Sequence, residues 1–351
     1  MIETNCSLKS FNSFAIEATA EKLFYLKTRA QFPALLKQIK QTLQENKPIL
    51  ILGGGSNTLF CEDFTGLIIK VELLGVEIIE LNNSYQLVVG AGEDWHQLVT
   101  HCIEKGIDGL ENLALIPGVI GAAPVQNIGA YGSEFKDNCE SVEYIDLDSG
   151  EIHLLTAEQC EFGYRDSIFK TPALKNALIT QVTLSLEKQW QPKNRYGALN
   201  DLKEGEQITA KKIYQSVCKI RNEKLPDPIK LGNAGSFFKN PVVSKEVSES
   251  LLSTYPAMPN YPQPDGSVKL AAGWLIDQAK LKGKTIGGAS VHQQQALVLI
   301  NQGGATASDI VKLAGFVRDT VKQLFNVELQ HEVRFIGASG ETNLSEVLKS
   351  V

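Results

Sequence analysis

Ser236 stands in the run Asn233-Ala234-Gly235-Ser236-Phe237-Phe238-Lys239-Asn240-Pro241, with a glycine before it and two large aromatics after it. A hydroxyl flanked in this way can be held in a dry, shaped pocket, and the competing reading is a turn serine that satisfies its own backbone. It is no hydrolase nucleophile, because the Gly-x-Ser-x-Gly elbow fails on both sides. Arg165, within Gly163-Tyr164-Arg165-Asp166-Ser167, sets a planar fork beside a tyrosine and suits a carboxylate. Arg221, Lys224 and Lys230 surround Leu225-Pro226-Asp227-Pro228, a setting fit for a diphosphate. Each of these cations fits equally well in a surface ion pair worth about 1 kcal/mol or less. Near the C-terminus a period of two puts Val327, Leu329, Val333 and Phe335 on one face and Glu328, Gln330, Glu332 and Arg334 on the other. The second face is either solvated or turned to a ligand. His331-Glu332 opens a His-Glu-x-x-His string, but Phe335 replaces the second histidine, and no metal is expected.

Two further stretches offer backbone rather than side chains. Gly53-Gly54-Gly55-Ser56-Asn57 follows an apolar strand, and its glycines let N–H groups approach a pyrophosphate unobstructed. The dinucleotide fingerprint is not met, since Thr58 stands where the third glycine belongs; an ordinary glycine turn is the alternative. In Ile116-Pro117-Gly118, Gly121-Ala122-Ala123-Pro124-Val125-Gln126-Asn127 and Gly129-Ala130-Tyr131-Gly132, small residues expose backbone to a flat ligand. Gln126 and Asn127 add donors and acceptors, as an isoalloxazine ring requires, although a tightly packed loop between domains would look the same. No charge occurs between Asn112 and Ser133, a span that reaches the roughly 20 residues of a membrane helix. Pro117, Pro124 and the interspersed glycines exclude a lipid-exposed helix there.

The elements that must position these residues follow from periodicity. Helical spacing covers Phe32 to Leu43, Trp95 to Ile103 behind an Asp94 cap, about 209–224, about 267–280 and about 308–325. Strand-type runs cover 23–26, 49–52, 67–71, 76–81, 87–91, 142–147, 179–186, 296–300 and 327–336. Without a strict alternation of strand and helix, the class is α+β. A polar, turn-rich stretch at 189–205 marks a boundary. The loop 255–266, with Pro256, Pro259, Pro262 and Pro264, is stiff and surface-lying, as functional lids often are.

At 351 residues, with 43% apolar side chains, the chain can bury more than one core. With 34 basic against 40 acidic groups and a net charge of −6, neither nucleic acid nor an anionic membrane is expected as a partner. The six cysteines form no Cys-x-x-Cys pair and read as reduced thiols. The N-terminus, MIETNCSLKSFNSF, has neither a basic start nor an apolar core, so no export is expected.

Taken in order, GGGSN, IPGVIGAAPVQNIGAYG, GYRDSIFK, KIRNEKLPDP, GNAGSFFKNP and the closing EVRF resemble the UDP-N-acetylenolpyruvoylglucosamine reductases. The proline-rich loop with Tyr261 and the following DGSVKLAAGWLIDQ are similar to the long form of that family, in which a tyrosine loop closes over substrate. The resemblance implies the FAD-binding fold of the p-cresol methylhydroxylase and vanillyl-alcohol oxidase flavoproteins. That fold would place FAD-binding subdomains at 1–70 and 71–205, a substrate domain at 206–335, and a tail, 336–351, returning to the first. It implies non-covalent FAD, held by Gly53, Gly54, Gly55, Ser56, Asn57, Ile116, Pro117, Gly118, Gly121, Ala122, Ala123, Gln126, Asn127, Gly129 and Arg334. Oxidases of the wider fold often tether flavin to a histidine near the glycine turn. Here Ser56-Asn57 follows instead, which agrees with a dissociable flavin.

The same resemblance implies NADPH as hydride donor, a nucleotide-sugar substrate, a monomer, a cytoplasmic location and a place in peptidoglycan synthesis. Arg165 and Glu332 would stabilise the enolate-like intermediate, and Ser236 would deliver the proton. Tyr164, Tyr196, Arg221, Lys224, Asn240, Tyr261, Lys269 and Gln295 are matched to the substrate. An FAD-dependent oxidase of the same fold, acting on another small substrate, and a non-catalytic nucleotide-sugar binding protein are the competing readings.

Overall fold

The computed structural model describes residues 2–195, 199, 202 and 208–351. The chain divides into two compact units: Met1–Thr4, Lys22–Gly54 and Gly66–Glu223 in the first, Asn5–Glu21, Gly55–Thr65 and Lys224–Val351 in the second. This differs from the three-part division expected from sequence. The tail is part of the second unit, where Leu344 and Val347 are buried in the core formed with Leu313 and Val317.

In the first unit, helix Phe32–Gln44 begins at a proline in its first turn and buries Phe32, Leu35 and Ile39. The strand Ile49–Leu52 pairs in parallel with the neighbouring strand, Ile49 opposite Leu67 and Leu52 opposite Lys70, and its end releases the chain into the glycine turn. A five-stranded antiparallel sheet follows, in the order Ile152–Thr156, Cys139–Asp146, Ala177–Glu187, Ser84–Gly90, Val76–Glu80. In the strand Ser84–Gly90, Leu87 and Val89 are buried and their neighbours are not, the period-two signature of a one-sided sheet. Helix Trp95–Glu104 is capped by Asp94, whose carboxylate accepts from Gln97 N–H at 2.8 Å. Trp95 is wholly buried and its indole N–H donates to the Leu113 carbonyl at 2.9 Å, so the helix start anchors the loop beyond it.

The second unit has a sheet in the order Asn233–Ser236, Val298–Asn301, Ala289–Val291, Thr285–Ile286, with helix Ala307–Phe325 packed on it. That helix opens with a reciprocal Thr306/Asp309 capping box and closes at Asn326 in left-handed backbone, φ 52°. A second, three-stranded sheet joins Thr58–Phe60 in parallel to Arg334–Gly337, which turns back into Gly340–Thr342.

Three elements depart from the sequence expectation. The run 267–280 is not one helix: Gln263 N–H donates to Ser267 O and closes a hairpin of Asn260–Pro262 against Val268–Leu270, leaving only Ala272–Gln278 helical. The alternation over 327–336 correctly separates buried Val327, Leu329, Val333 and Phe335 from their neighbours, but strand pairing is confined to Arg334–Gly337 and a single bridge at His331. Helix Lys245–Thr254, capped by Ser244, was not expected, because its short amphipathic pattern holds three serines and a threonine that weaken the signal.

Candidate active site

In the first unit, two glycine segments meet. A Cβ at Gly53 would come within 2.8 Å of Val119 Cγ2, and one at Gly54 within 3.1 Å of Gly118 Cα, so the two chains approach only as bare backbone. Lys70 Nζ donates to the Gly53 carbonyl at 2.8 Å. Burial pulls the Lys70 ammonium down from its ordinary value, with the Glu72 charge opposing. Among the described residues no acceptor meets the N–H groups of Gly53 and Gly54. Uncommitted donors on a glycine turn with a lysine at its back suit a phosphate oxygen.

The segment 114–132 follows a short turn at Glu111–Leu113 and is irregular backbone apart from a turn at Ile120–Ala122 and a two-residue strand at Gly129–Ala130. Leu115, Asn127 and Tyr131 adopt positive φ of 55°, 42° and 49°, conformations that non-glycine residues keep only when surroundings impose them. The impositions are visible. Gly121 N–H donates to Ala91 O at 2.8 Å, and a Cβ on Gly121 would lie 2.7 Å from the Ala91 methyl. Leu115 N–H donates to His96 Nδ1 at 3.1 Å, and His96 stacks on Tyr214 with ring centroids 6.0 Å apart. Asn112 Nδ2 donates to the Tyr131 carbonyl at 2.9 Å.

Asn127 spends its side chain on protein partners. It is fully buried, its Nδ2 donates to Gly163 O at 2.9 Å, and its Oδ1 accepts from Lys136 N–H at 3.0 Å. Its amide shapes the loop and ties it to the turn that carries Arg165. Ser167 Oγ donates to Val125 O at 2.7 Å and repeats the tie. Arg165 itself has φ 53°, its guanidinium carbon lies 5.7 Å from the Tyr164 ring centre, and Nη2 donates to Gly129 O at 3.0 Å. Arg221 is close enough to feel the charge of Arg165, is hydrogen-bonded to Tyr131, and has its Nε buried; burial weighs against its charge. Two neighbouring guanidinium groups in partly desolvated surroundings are relieved by an anion. Ile116, Pro117, Gly118, Ala122, Ala123 and Gln126 all lie on this same loop.

In the second unit, Gly55 has φ 65°, and any Cβ there would overlap the Phe11 carbonyl oxygen. Ser13 fastens the turn: its N–H donates to Gly55 O at 3.1 Å and its hydroxyl to Ser56 O at 3.2 Å. Asn57 then reaches the C-terminal segment, Nδ2 donating to Glu332 O at 3.2 Å while its carbonyl accepts from Arg334 N–H at 3.0 Å. Glu332 N–H donates to Phe237 O at 2.8 Å, so Glu332 and Ser236 are carried on adjoining backbone. Phe237 and Phe238 are buried, and Phe237 meets Phe335 edge to face at 5.9 Å, which holds the Ser236 segment rigid from below. Arg334 is engaged by Glu341 across the hairpin, Nη2 to Oε2 at 2.8 Å, rather than presented alone to a ligand.

Tyr261 is the cross-strand partner of Lys269 in the hairpin, so both of these expected substrate residues occupy one register position. Asn240 Oδ1 caps the following helix by accepting from Ala272 N–H at 2.9 Å. Gln295 sits on the turn before Val298, its N–H donating to His292 Nδ1 at 3.1 Å. Lys224 is exposed at the end of helix Ala210–Lys224. Tyr196 lies outside the described residues. Arg165, Tyr164 and Arg221 thus belong to the first unit, and Ser236, Glu332, Lys224, Asn240, Tyr261, Lys269 and Gln295 to the second.

Lys70, His96, Tyr131 and Asn233 were missed in sequence. Only Lys70 left a signal there, as the one charge in the otherwise apolar end of its strand, Leu67-Ile68-Ile69-Lys70-Val71. Among the described residues no group of three or more His, Cys, Asp or Glu side chains is arranged for a metal, and no helix is long and apolar enough to cross a membrane.

Comparison with known proteins agrees with these features. A family model described as an FAD binding domain matches residues 20–156, and one described as the C-terminal domain of UDP-N-acetylenolpyruvoylglucosamine reductase matches residues 227–336. The UDP-N-acetylenolpyruvoylglucosamine reductase of Pectobacterium atrosepticum is 51% identical over 342 residues, 97% of this chain and 98% of that one. The protein of the same name from Escherichia coli is 51% identical over 344 residues, covering 98% and 99%. The crystal structure of the Thermus caldophilus reductase superimposes over 95% of this chain and 98% of its own with a TM-score of 0.65 at 24% identity, which shows a shared fold.

Proposed function

The chain belongs to the UDP-N-acetylenolpyruvoylglucosamine reductase family and is an FAD-dependent oxidoreductase, and on that premise we propose that it uses NADPH to reduce the enolpyruvyl ether of UDP-N-acetylglucosamine to UDP-N-acetylmuramate. This is a cytoplasmic step of peptidoglycan precursor synthesis, carried out by a monomer.

The donors of the Gly53–Gly54 turn, backed by Lys70, take the FAD phosphates, and the loop from Ile116 to Gly129 takes the ring. Bound FAD supplies the hydride carrier between nicotinamide and vinyl carbon. The residues of this chain make that carbon able to accept. A vinyl carbon β to a carboxylate is electrophilic only while the carboxylate takes up the developing negative charge. The Arg165 fork, held by its bond to Gly129 O, and Glu332 stabilise that charge. Ser236 then gives its hydroxyl proton to the α carbon. Serine is a very weak acid, and only a carbanionic centre is basic enough to take its proton. Lys224, Lys269, Tyr261, Asn240 and Gln295 hold the nucleotide sugar.

The observation that carries this reading is the backbone bond from Glu332 N–H to Phe237 O, which sets an acid and a serine on adjoining backbone above a rigid aromatic layer. The test is where labels go. In D2O the product should carry deuterium on the carbon next to the carboxylate. Product without solvent deuterium at that carbon would contradict proton delivery there.

A further inference from the structure

Asn233 is 4% exposed, and its amide is fully used. Oδ1 accepts from Gly235 N–H at 2.9 Å, while Nδ2 donates both to Pro226 O at 3.1 Å and to Leu231 O at 2.8 Å. Its own N–H donates to Ser13 O at 2.9 Å. One side of this amide therefore sets the turn immediately before Ser236, and the other closes the loop that runs from Lys224 past Lys230. No other side chain of this size offers one acceptor and two donors in a plane.

The geometry around it shows why the tie matters. Asn233 pairs with Ile300 and Ser236 with Val298, so this strand carries one residue more than its partner between the two pairs. Such a bulge re-aims the side chain that follows it. The extra residue is absorbed at Gly235, φ 70°, where an added Cβ would meet nothing within 4 Å. The glycine is thus required by its backbone conformation and not by crowding. On the loop side, Leu231 N–H and Lys230 N–H both donate to Asp227 O, at 2.9 and 3.0 Å, and Ile229 N–H donates to Asp227 Oδ1 at 3.0 Å. The loop is a closed turn whose two ends, Pro226 and Leu231, are held by the same amide.

We propose that Asn233 is a positioning residue that sets the proton donor Ser236 and the basic loop 224–231 in a single geometry, so that substrate grip and proton delivery change together. This rests on the function proposed above. Asn233→Asp keeps the acceptor toward Gly235 but places a second oxygen against the Pro226 and Leu231 carbonyls, and it breaks the loop side selectively. Gly235→Ala leaves the loop tie and strains the serine side alone.

The experiment is anaerobic stopped-flow. Enzyme reduced with dithionite is mixed with the enolpyruvyl nucleotide sugar in H2O and in D2O, and substrate affinity is titrated separately by the flavin spectrum of the oxidised enzyme. For Asn233→Asp, reoxidation should slow by about 100-fold, the loss typical of a small misplacement of reacting groups. Its substrate Kd should also rise about tenfold, and the solvent isotope effect should increase. For Gly235→Ala, the rate should fall and the isotope effect rise with Kd unchanged. A merely structural residue would not move the isotope effect. Asn233→Asp with wild-type rate, Kd and isotope effect would overturn the proposal. Where that variant does not fold, a wild-type rate in Gly235→Ala overturns it equally. A wild-type enzyme that this sugar does not reoxidise fails one step earlier and removes the reading on which the proposal stands.

Discussion

Ser236 carries the most specific chemical demand in the molecule. In the proposed mechanism its proton goes to the α carbon after hydride has arrived, so its removal should separate the two halves of turnover. In Ser236→Ala we expect flavin reduction by NADPH to stay within a few-fold of wild type, while reoxidation by the enolpyruvyl sugar falls about 1,000-fold, in the range of a lost general acid. Rapid-mixing absorbance of each half-reaction checks this, and a reoxidation rate near wild type would remove Ser236 from the role. Ser236, Arg165 and Glu332 drew notice by type and neighbours, but residue type alone left a turn serine, a surface ion pair and a solvated face open, and only the resemblance gave them roles. The parts played by Asn127 and Asn233 were not legible. An amide in a loop looks the same whether it faces a ligand or is consumed by its own backbone, and only burial separates the two.

The loop 114–132 is an element held in strain by few contacts, and one of them titrates. His96 Nδ1 accepts the N–H of Leu115, which has positive φ, so the ring must be neutral on that nitrogen. Burial pushes the His96 pKa below its ordinary value; the Asp94 charge opposes it, and Arg221 adds a smaller downward push. The sign follows from linkage. A depressed folded-state pKa contributes stability that is complete above the unfolded value of about 6.5 and is lost as pH falls through the folded value. FAD retention and Tm should therefore weaken on the acid side of neutrality. His96→Phe, which keeps the stacking on Tyr214 but deletes the acceptor, should lower stability by about 1 kcal/mol and flatten that acid-side slope. Thermal melts from pH 5 to pH 8 with flavin fluorescence as readout decide it, and an unchanged slope in the variant would count against the His96 contact. Helices Phe32–Gln44 and Trp95–Glu104 were legible because the apolar spacing of each is helical, reinforced in the second by the Asp94 cap. The hairpin 260–270 was hidden because Pro262 and Pro264 suggest only a loop, and Val268-Lys269-Leu270 runs straight into helical spacing.

The division of the whole molecule was the least legible feature. Segments Asn5–Glu21 and Gly55–Thr65 belong to the C-terminal unit, and the parallel pairing of Thr58–Phe60 with Arg334–Gly337 joins residues far apart in the sequence. Local periodicity does not report such long-range register. The α+β class and the flavin-type glycine segments did not depend on it, since both rest on local pattern. The central claim, an FAD enzyme that takes electrons from NADPH and gives them to an enolpyruvyl nucleotide sugar, is tested most directly by one cuvette. Its visible spectrum is recorded anaerobically as purified, after NADPH, and after the sugar. The account predicts flavin bands that bleach with NADPH and return with the sugar. Bands that return only when oxygen is admitted would mark an oxidase and contradict it.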